Sequence, residues 1–154
     1  MSNPKLDFVK FDEVFLEMSW CWLNDPEIKV LTSTPNFTRQ EQMFFFNSLP
    51  RDDYKVWGIK CDSTPVGVLG LKNIKGAEAE YFGYIGEKGL WGKRLFPEML
   101  HFVVDVALSL GLRSIYLNVS SLNVRAIRAY RREGFKLVDS KSTSTNFHMI
   151  KGLI

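Results

Sequence analysis

The sequence predicts an α+β domain, a mixed and mostly antiparallel twisted sheet flanked by helices, formed by residues 1–154 as one unit. Three observations predict it. Apolar residues alternate over 54–61, 65–74, 78–86 and 114–120, the period of half-buried strands, but recur at three and four residues over 13–23 and 95–112, the period of helices. The stretch 80–118 reads strand, long helix, strand, a β-α-β passage whose two strands lie parallel, while the hairpin before it is antiparallel. Finally, 154 residues that are 45% hydrophobic and 14% aromatic are enough for one core and too few for a second of ordinary size.

The elements follow in order. LDFVKF (6–11) alternates weakly and predicts a first strand. Asp12 caps a helix, EVFLEMSWCWL, with Phe15, Met18, Cys21 and Trp22 on its apolar face. Asn24-Asp25-Pro26 ends it, and Pro26 suits the first turn of the next helix. Thr32–Pro35 is loop, and Thr38 with Glu41 forms a capping box for RQEQMFFFNSL. Residues 1–50 therefore resemble a helical lid after one strand.

YKVWGIKC and PVGVLGLKNI, joined by Asp62-Ser63-Thr64-Pro65, predict a hairpin, and EAEYFGYIG a third strand. A loop, EKGLWGKR, leads into LFPEMLHFVVDVALSLGL, where Leu95, Met99, Phe102, Val103, Val106, Ala107 and Leu110 mark one face. Pro97 sits in that helix's first turn and Gly111 just past its end. SIYLNVS is a strand with Ile115, Leu117 and Val119 on one side. Asn123 caps a helix to Glu133, FKLVD begins another strand, and TNFHMIKGLI closes the sheet.

Charge is unevenly spread. Residues 1–50 hold four cations against seven carboxylates, while 123–136 holds Arg125, Arg128, Arg131, Arg132 and Lys136 against Glu133 alone. A basic second half suits an anionic ligand and an acidic first part a cationic one; ordinary solvated helix faces give the same imbalance. No apolar run approaches the roughly 20 residues that span a bilayer. The opening MSNPKLDFVKFDE predicts no signal peptide, so a cytoplasmic protein is expected. Cys21 and Cys61 lack the neighbours of a zinc site or disulfide framework, so no metal is expected.

Two features carry chemistry. The loop after the third hairpin strand holds Gly86, Gly89 and Gly92 with Lys88, Lys93 and Arg94, and ends at a helix N-terminus. Outward N–H groups and the positive end of the helix dipole favour phosphate there, although such a loop is also an ordinary strand-to-helix connection. It is neither a Walker loop nor the GxGxxG dinucleotide fingerprint. The second feature is Asn123-Val-Arg-Ala126-Ile-Arg-Ala-Tyr130-Arg-Arg-Glu-Gly134-Phe135. At 100° per residue, Asn123, Ile127, Tyr130, Arg131 and Gly134 share one broad helix face.

This second pattern resembles the N-x-x-A-x-x-x-Y-x-x-x-G-F motif of the GNAT superfamily of acyl-CoA-dependent N-acyltransferases. The order of EYFGYIGEKGLWGKRLFPEML and SIYLNVSSLNVRAIRAYRREGF is similar to that family over 78–136. The segment WCWLNDPEIKVLTSTPNFTRQEQMFFFNSL resembles the subgroup of ribosomal-protein alanine and aminosugar N-acetyltransferases.

The resemblance implies a splayed central strand pair that holds acetyl-CoA, with 78–136 as the acyl-CoA-binding core and 1–50 on the acceptor side. Backbone groups of Tyr84, Ile85 and Gly86 would pair with the pantetheine arm. The N–H groups of Trp91, Gly92, Lys93, Arg94, Leu95 and Phe96 would hold the pyrophosphate. Asn123 would hydrogen-bond the cofactor, Arg131 would lend it charge, and Tyr130 would protonate the leaving thiolate.

Three positions depart from the family pattern. In the loop, which usually reads Q/R-x-x-G-x-G/A, Gly89 stands for the first residue and Arg94 for the last small one, and Asn118 stands where relatives often carry a Glu base; Asn cannot take a proton. Glu80, sharing a strand face with Phe82 and Tyr84, is the first candidate base, ahead of His148 and His101, and reads otherwise as an exposed strand carboxylate. Trp20, Trp22 and Trp91 read as core anchors.

The expected function is acetyl transfer to a primary amine of a small molecule such as a nucleotide-linked aminosugar. The alternatives are a protein N-terminal acetyltransferase and a catalytically silent acyl-CoA-binding protein. An RNA-binding module built on RAIRAYRREGFK needs a longer basic patch than this chain offers. No membrane partner is expected, and a homodimer is compatible with the sequence.

Overall fold

The computed structural model describes residues 5–153. Seven strands form one sheet: β1 (Leu6–Lys10), β2 (Tyr54–Cys61), β3 (Thr64–Lys75), β4 (Glu78–Ile85), β5 (Ser114–Ser120), β6 (Lys136–Leu137) and β7 (Asn146–Gly152). Five helices accompany them: α1 (Glu13–Asn24), α2 (Pro26–Leu31), α3 (Arg39–Asn47), α4 (Phe96–Ser109) and α5 (Val124–Arg132). The sheet order is β1-β2-β3-β4-β5-β7-β6, antiparallel except for β4 and β5.

Local chemistry sets the element ends. Asp12 accepts from the N–H groups of Val14 and Phe15, Asp25 from those of Glu27 and Ile28, and Thr38 and Glu41 satisfy each other's backbone donors. The hairpin turn is tighter than the sequence suggested. Only Asp62 and Ser63 form it, at φ 49° and 70°, the paired positive values of a two-residue turn whose twist matches the strands. Thr64 and Pro65 already belong to β3.

Apolar burial divides between the two faces of the sheet. On one face α4 and α5 pack on Leu69, Leu71, Ala79, Tyr81, Ile115, Leu117 and Met149. On the other, α1–α3 cover Val56, Val68, Phe82 and Tyr84 with Phe11, Phe15, Leu16, Trp22 and Ile28. The buried stripe of α1 is Phe15, Leu16, Ser19 and Trp22, so Cys21 is exposed and its expected place is taken by Ser19. In α4, Leu100 is buried while Leu110, beyond the last helical turn, is 43% exposed.

The C-terminal half differs most from expectation. FKLVD forms only the two-residue β6, and β7 enters between β5 and β6, pairing with both. Among the described residues, no helix is long and apolar enough to cross a membrane.

Candidate active site

β4 and β5 stay in register for three pairs only: Glu78 with Ser114, Ala79 with Ile115, and Glu80 with Tyr116. Beyond Glu80 the strands diverge, although β4 continues to Ile85 and β5 to Ser120. A cleft of about 1330 Å³ opens there between the two layers of helices. Single-ligand pockets occupy ~300–1,000 Å³, so this space admits two substrates together.

One wall is the loop from Glu87 to the start of α4. Gly92 (φ 79°) and Arg94 (φ 58°) both take the left-handed conformation, and the Arg94 side chain stays in solvent. Backbone strain at Arg94 is thus accepted in place of the small residue expected at that turn. The N–H groups of Trp91 and Lys93 are used inside the turn, donating to the carbonyls of Lys88 and Leu90. Those of Gly92, Arg94, Leu95 and Phe96 donate to no backbone acceptor among the described residues, and no side chain caps α4. The open donors are therefore four, not six, at the positive end of a 14-residue helix.

The opposite wall is α5. Its cleft face carries Arg125, Arg128 and Arg132, spaced three and four apart on one stripe. Arg131 is exposed and lies off the cleft, which corrects the face inferred from helical periodicity. The reason is Ile127: it is 8% exposed and anchors α5 to the sheet, fixing the helix's rotation. The Arg125 guanidinium sits 6.0 Å from the Trp91 ring, so Trp91, half-buried against the core under α1 and α2, is also part of the cleft wall. Asn123 caps α5 through the Ala126 N–H, and its Nδ2 reaches the Leu31 carbonyl at 3.4 Å.

Tyr130 forms the floor. Its ring packs edge-on against Phe96 (5.0 Å) and Tyr81 (6.4 Å). Burial pushes the phenol up to about 12, with no charge or hydrogen bond offsetting it.

On the face covered by α1–α3, Tyr84 turns its ring toward Trp22 (6.1 Å), with its hydroxyl buried and unpartnered. At the end of β4, Gly86 is required: a Cβ there would lie 2.3 Å from the Trp22 ring, and its N–H is held by the Val66 carbonyl at 2.7 Å. Lys88 pairs with Asp25 (2.9 Å) and Glu27 (3.0 Å), tying the loop to α2; the pairing holds the Asp25 carboxyl below its usual range.

Glu80 lies where the strands part, with its side chain 14% exposed. It accepts from Asn73 Nδ2 (3.0 Å) and Asn118 Nδ2 (3.2 Å), and Lys72 Nζ is 3.9 Å away. His101 is away from this region, exposed on α4 beside Asp105. His148 is buried behind Asn118, its Nδ1 3.1 Å from the Asn118 Oδ1.

A sheet split at one parallel pair, with free N–H groups at a helix start beside the split, defines a domain that can take an extended ligand with an anionic end. The chain belongs to the GNAT acetyltransferase family: the profile of the acetyltransferase (GNAT) domain matches residues 9–136. A domain from Methanocaldococcus jannaschii DSM 2661 superposes with a TM-score of 0.85 at 19% identity, covering 97% of this chain and 99% of that one. The Campylobacter jejuni N-acetyltransferase PseH in complex with acetyl coenzyme A gives 0.71 at 17% identity, covering 96% and 99%. Spermidine N-acetyltransferase from Vibrio cholerae, in complex with CoA and spermine, gives 0.80 at 17%, covering 99% and 97%. At these identities the likeness is one of fold. Among curated protein sequences, none matches this chain.

Proposed function

We propose that the protein transfers the acetyl group of acetyl-CoA to a primary amine of a small molecule, and that the acceptor is a nucleotide-linked aminosugar. The observation that carries the reading is the divergence of β4 and β5 beyond Glu80, with unpaired N–H groups at one end of the opening. The residues present fit acetyl-CoA, which would supply the acetyl group as a thioester. Gly92, Arg94, Leu95 and Phe96 would hold the diphosphate through their N–H groups, assisted by Arg125 and Arg128 across the cleft. The backbone edge of β4 past Glu80 would pair with the pantetheine arm, except at the Ile85 carbonyl, which the Trp91 indole occupies, and at the Gly86 N–H, which the Val66 carbonyl holds; the cap made by Asn123 would steady α5 beside it.

Glu80 would take the proton of the incoming ammonium, because attack requires a neutral amine. Tyr130 would give its proton to the departing sulfur. In water a thiolate near 8.5 is too weak a base for a phenol at about 12. Desolvation raises both anions, however, so the site that burdens the phenol also strengthens the base beside it.

The acceptor class rests on the lining of the other end. Phe45, Tyr54 and Phe82 offer flat rings, and the Lys72 cation lies 5.6 Å from the Phe82 ring. Rings with an adjacent cation suit an acceptor carrying sugar, base and phosphate better than a naked polycation.

The test is an acetyl-CoA transfer assay against pooled nucleotide-linked aminosugars, polyamines and N-terminal peptides. Turnover with the sugar pool supports the reading. Transfer to peptides alone would make the protein an N-terminal acetyltransferase, transfer to polyamines alone would remove the sugar acceptor, and binding without any transfer would make it a silent acyl-CoA-binding protein.

A further inference from the structure

Asn118 and His148 stand directly opposite each other in the β5–β7 register, on the same sheet face as Glu80. Their side chains run in one hydrogen-bonded line: His148 Nδ1 to Asn118 Oδ1 at 3.1 Å, and Asn118 Nδ2 to Glu80 Oε2 at 3.2 Å. A carboxylate only accepts, so the amide must present its NH₂ to Glu80. Its carbonyl oxygen is then left for His148, which must donate from Nδ1. The three residues thus dictate one another's orientation.

From this geometry we propose that Asn118 and His148 are positioning residues that hold the Glu80 carboxylate in place at the parting of β4 and β5; the proposal rests on the reading of Glu80 as the base.

Several features make the line directional. His148 is 9% exposed, and the Tyr116 ring stacks on it with centroids 5.0 Å apart and planes 21° from parallel. Its backbone N–H is held by Ser142 Oγ at 2.9 Å. The imidazole therefore has little freedom to rotate. Burial, with the charge of Lys141, lowers its pKa, so the ring is neutral at pH 7 and bears one proton, on Nδ1. Free imidazole side chains favour the opposite tautomer, with the proton on Nε2. If His148 lost this proton-bearing edge, the Asn118 amide could turn its oxygen to Glu80, which is repulsive.

Glu80 is then held on both oxygens. Oε1 takes Asn73 Nδ2, which reaches it from a bulge in β3 where Asn73 adopts φ 51°. Oε2 takes Asn118, with Lys72 nearby. A carboxylate has about four lone-pair sites, so one direction stays open to the ammonium. In the step, an ammonium N–H bond breaks, an O–H bond forms on Glu80, and the neutral amine keeps the electron pair for attack. The ionisable groups facing this carboxylate are Lys72 on β3, Tyr54 on β2, Glu78 on its own strand, Tyr116 on β5 and His148 on β7, with Lys141 behind His148.

The experiment has two arms. The protein contains two histidines, His101 and His148, so long-range ¹H–¹⁵N spectra of the imidazoles are readily assigned. His148 should appear at pH 7.5 as the Nδ1–H tautomer and revert to Nε2–H in Asn118→Ala. An Nε2–H tautomer in the unsubstituted protein would overturn the proposal without any substrate being needed.

In the second arm, the pH profile of kcat/KM is recorded with the acceptor that the transfer assay identifies. Asn118→Asp places two carboxylates at hydrogen-bond distance, where they cannot both ionise freely, so the acidic limb should move up by about one pH unit or more. His148→Phe should lower kcat about tenfold with KM for acetyl-CoA unchanged, and His148→Gln, which can still donate, should recover most of that loss. Glu80→Gln separates the two ideas. If it leaves turnover unchanged, the base reading fails; if it abolishes turnover while the Asn118 and His148 variants keep the normal profile, only the positioning role fails.

Discussion

The indole Nε1 of Trp91 donates to the carbonyl oxygen of Ile85 at 2.7 Å, folding the loop before α4 back onto the end of β4. This bond uses a carbonyl that lies in the segment expected to pair with the pantetheine arm, and it keeps the Trp91 ring against Arg125 and Lys88. Trp91→Phe keeps an aromatic ring but removes the donor. Unfolding in urea should show a loss of about 0.5–1.5 kcal/mol, the net worth of one such bond. Calorimetric titration should show weaker acetyl-CoA binding, because the loop's open N–H groups lose their anchor.

Arg94 separates charge from backbone shape. Its φ of 58° costs a non-glycine residue about 1–2 kcal/mol, so Arg94→Gly should raise the melting temperature of the free protein. Lys93 and Arg94 reversed together to Glu should weaken CoA far more than dephosphorylated pantetheine. Equal losses for the two ligands would show that the loop does not hold the diphosphate.

Tyr130→Phe deletes one hydroxyl and leaves the packing on Phe96 and Tyr81 in place. Turnover should fall roughly 10²–10⁴-fold, the range for a positioned general acid. Acetyl-CoA affinity and melting temperature should hardly move. Full activity would remove Tyr130 from the reaction.

Alkaline pH should destabilise the fold through its tyrosines. Burial pushes Tyr54 and Tyr130 up to about 12, and Tyr81 and Tyr84 also rise above the usual value. Below an unfolded-state pKa near 10 the full stability is present. Between pH 10 and 12 the unfolded chain loses these protons while the native one keeps them, so stability falls by up to about 1.4 kcal/mol per pH unit for each tyrosine. Urea midpoints measured from pH 8.5 to 11 should stay level and then drop. Tyr130→Phe should flatten part of that drop.

What the sequence revealed was chiefly what acts over three or four residues. Asp12 and the Thr38–Glu41 box cap the helices as read, because a cap needs only its own first turn. The alternation of β4 correctly put Glu80, Phe82 and Tyr84 on one face. Periodicity groups Asn123, Ile127, Tyr130, Arg131 and Gly134 on one face of α5, but it does not say what lies beside that face, and the cleft takes Arg125, Arg128 and Arg132 instead of Arg131. The Glu80–Asn118–His148 line joins residues 38 and 30 positions apart and left no local signal; only the alternation of β5 hinted that Asn118 points away from Ile115, Leu117 and Val119.

The insertion of β7 between β5 and β6 has a consequence for how the chain is made. β5 and β6 never touch as neighbours, so the sheet on that side stays unzipped until residues 146–152 arrive. A nascent chain that has already built β1–β4 and both covering layers would still present the bare edge of β5, a template for pairing with another molecule. His148 arrives on that same late strand, bringing the last member of the hydrogen-bonded line to Glu80. Sealing of the exposed edge and completion of the line to Glu80 are thus a single event, the docking of β7 between β5 and β6.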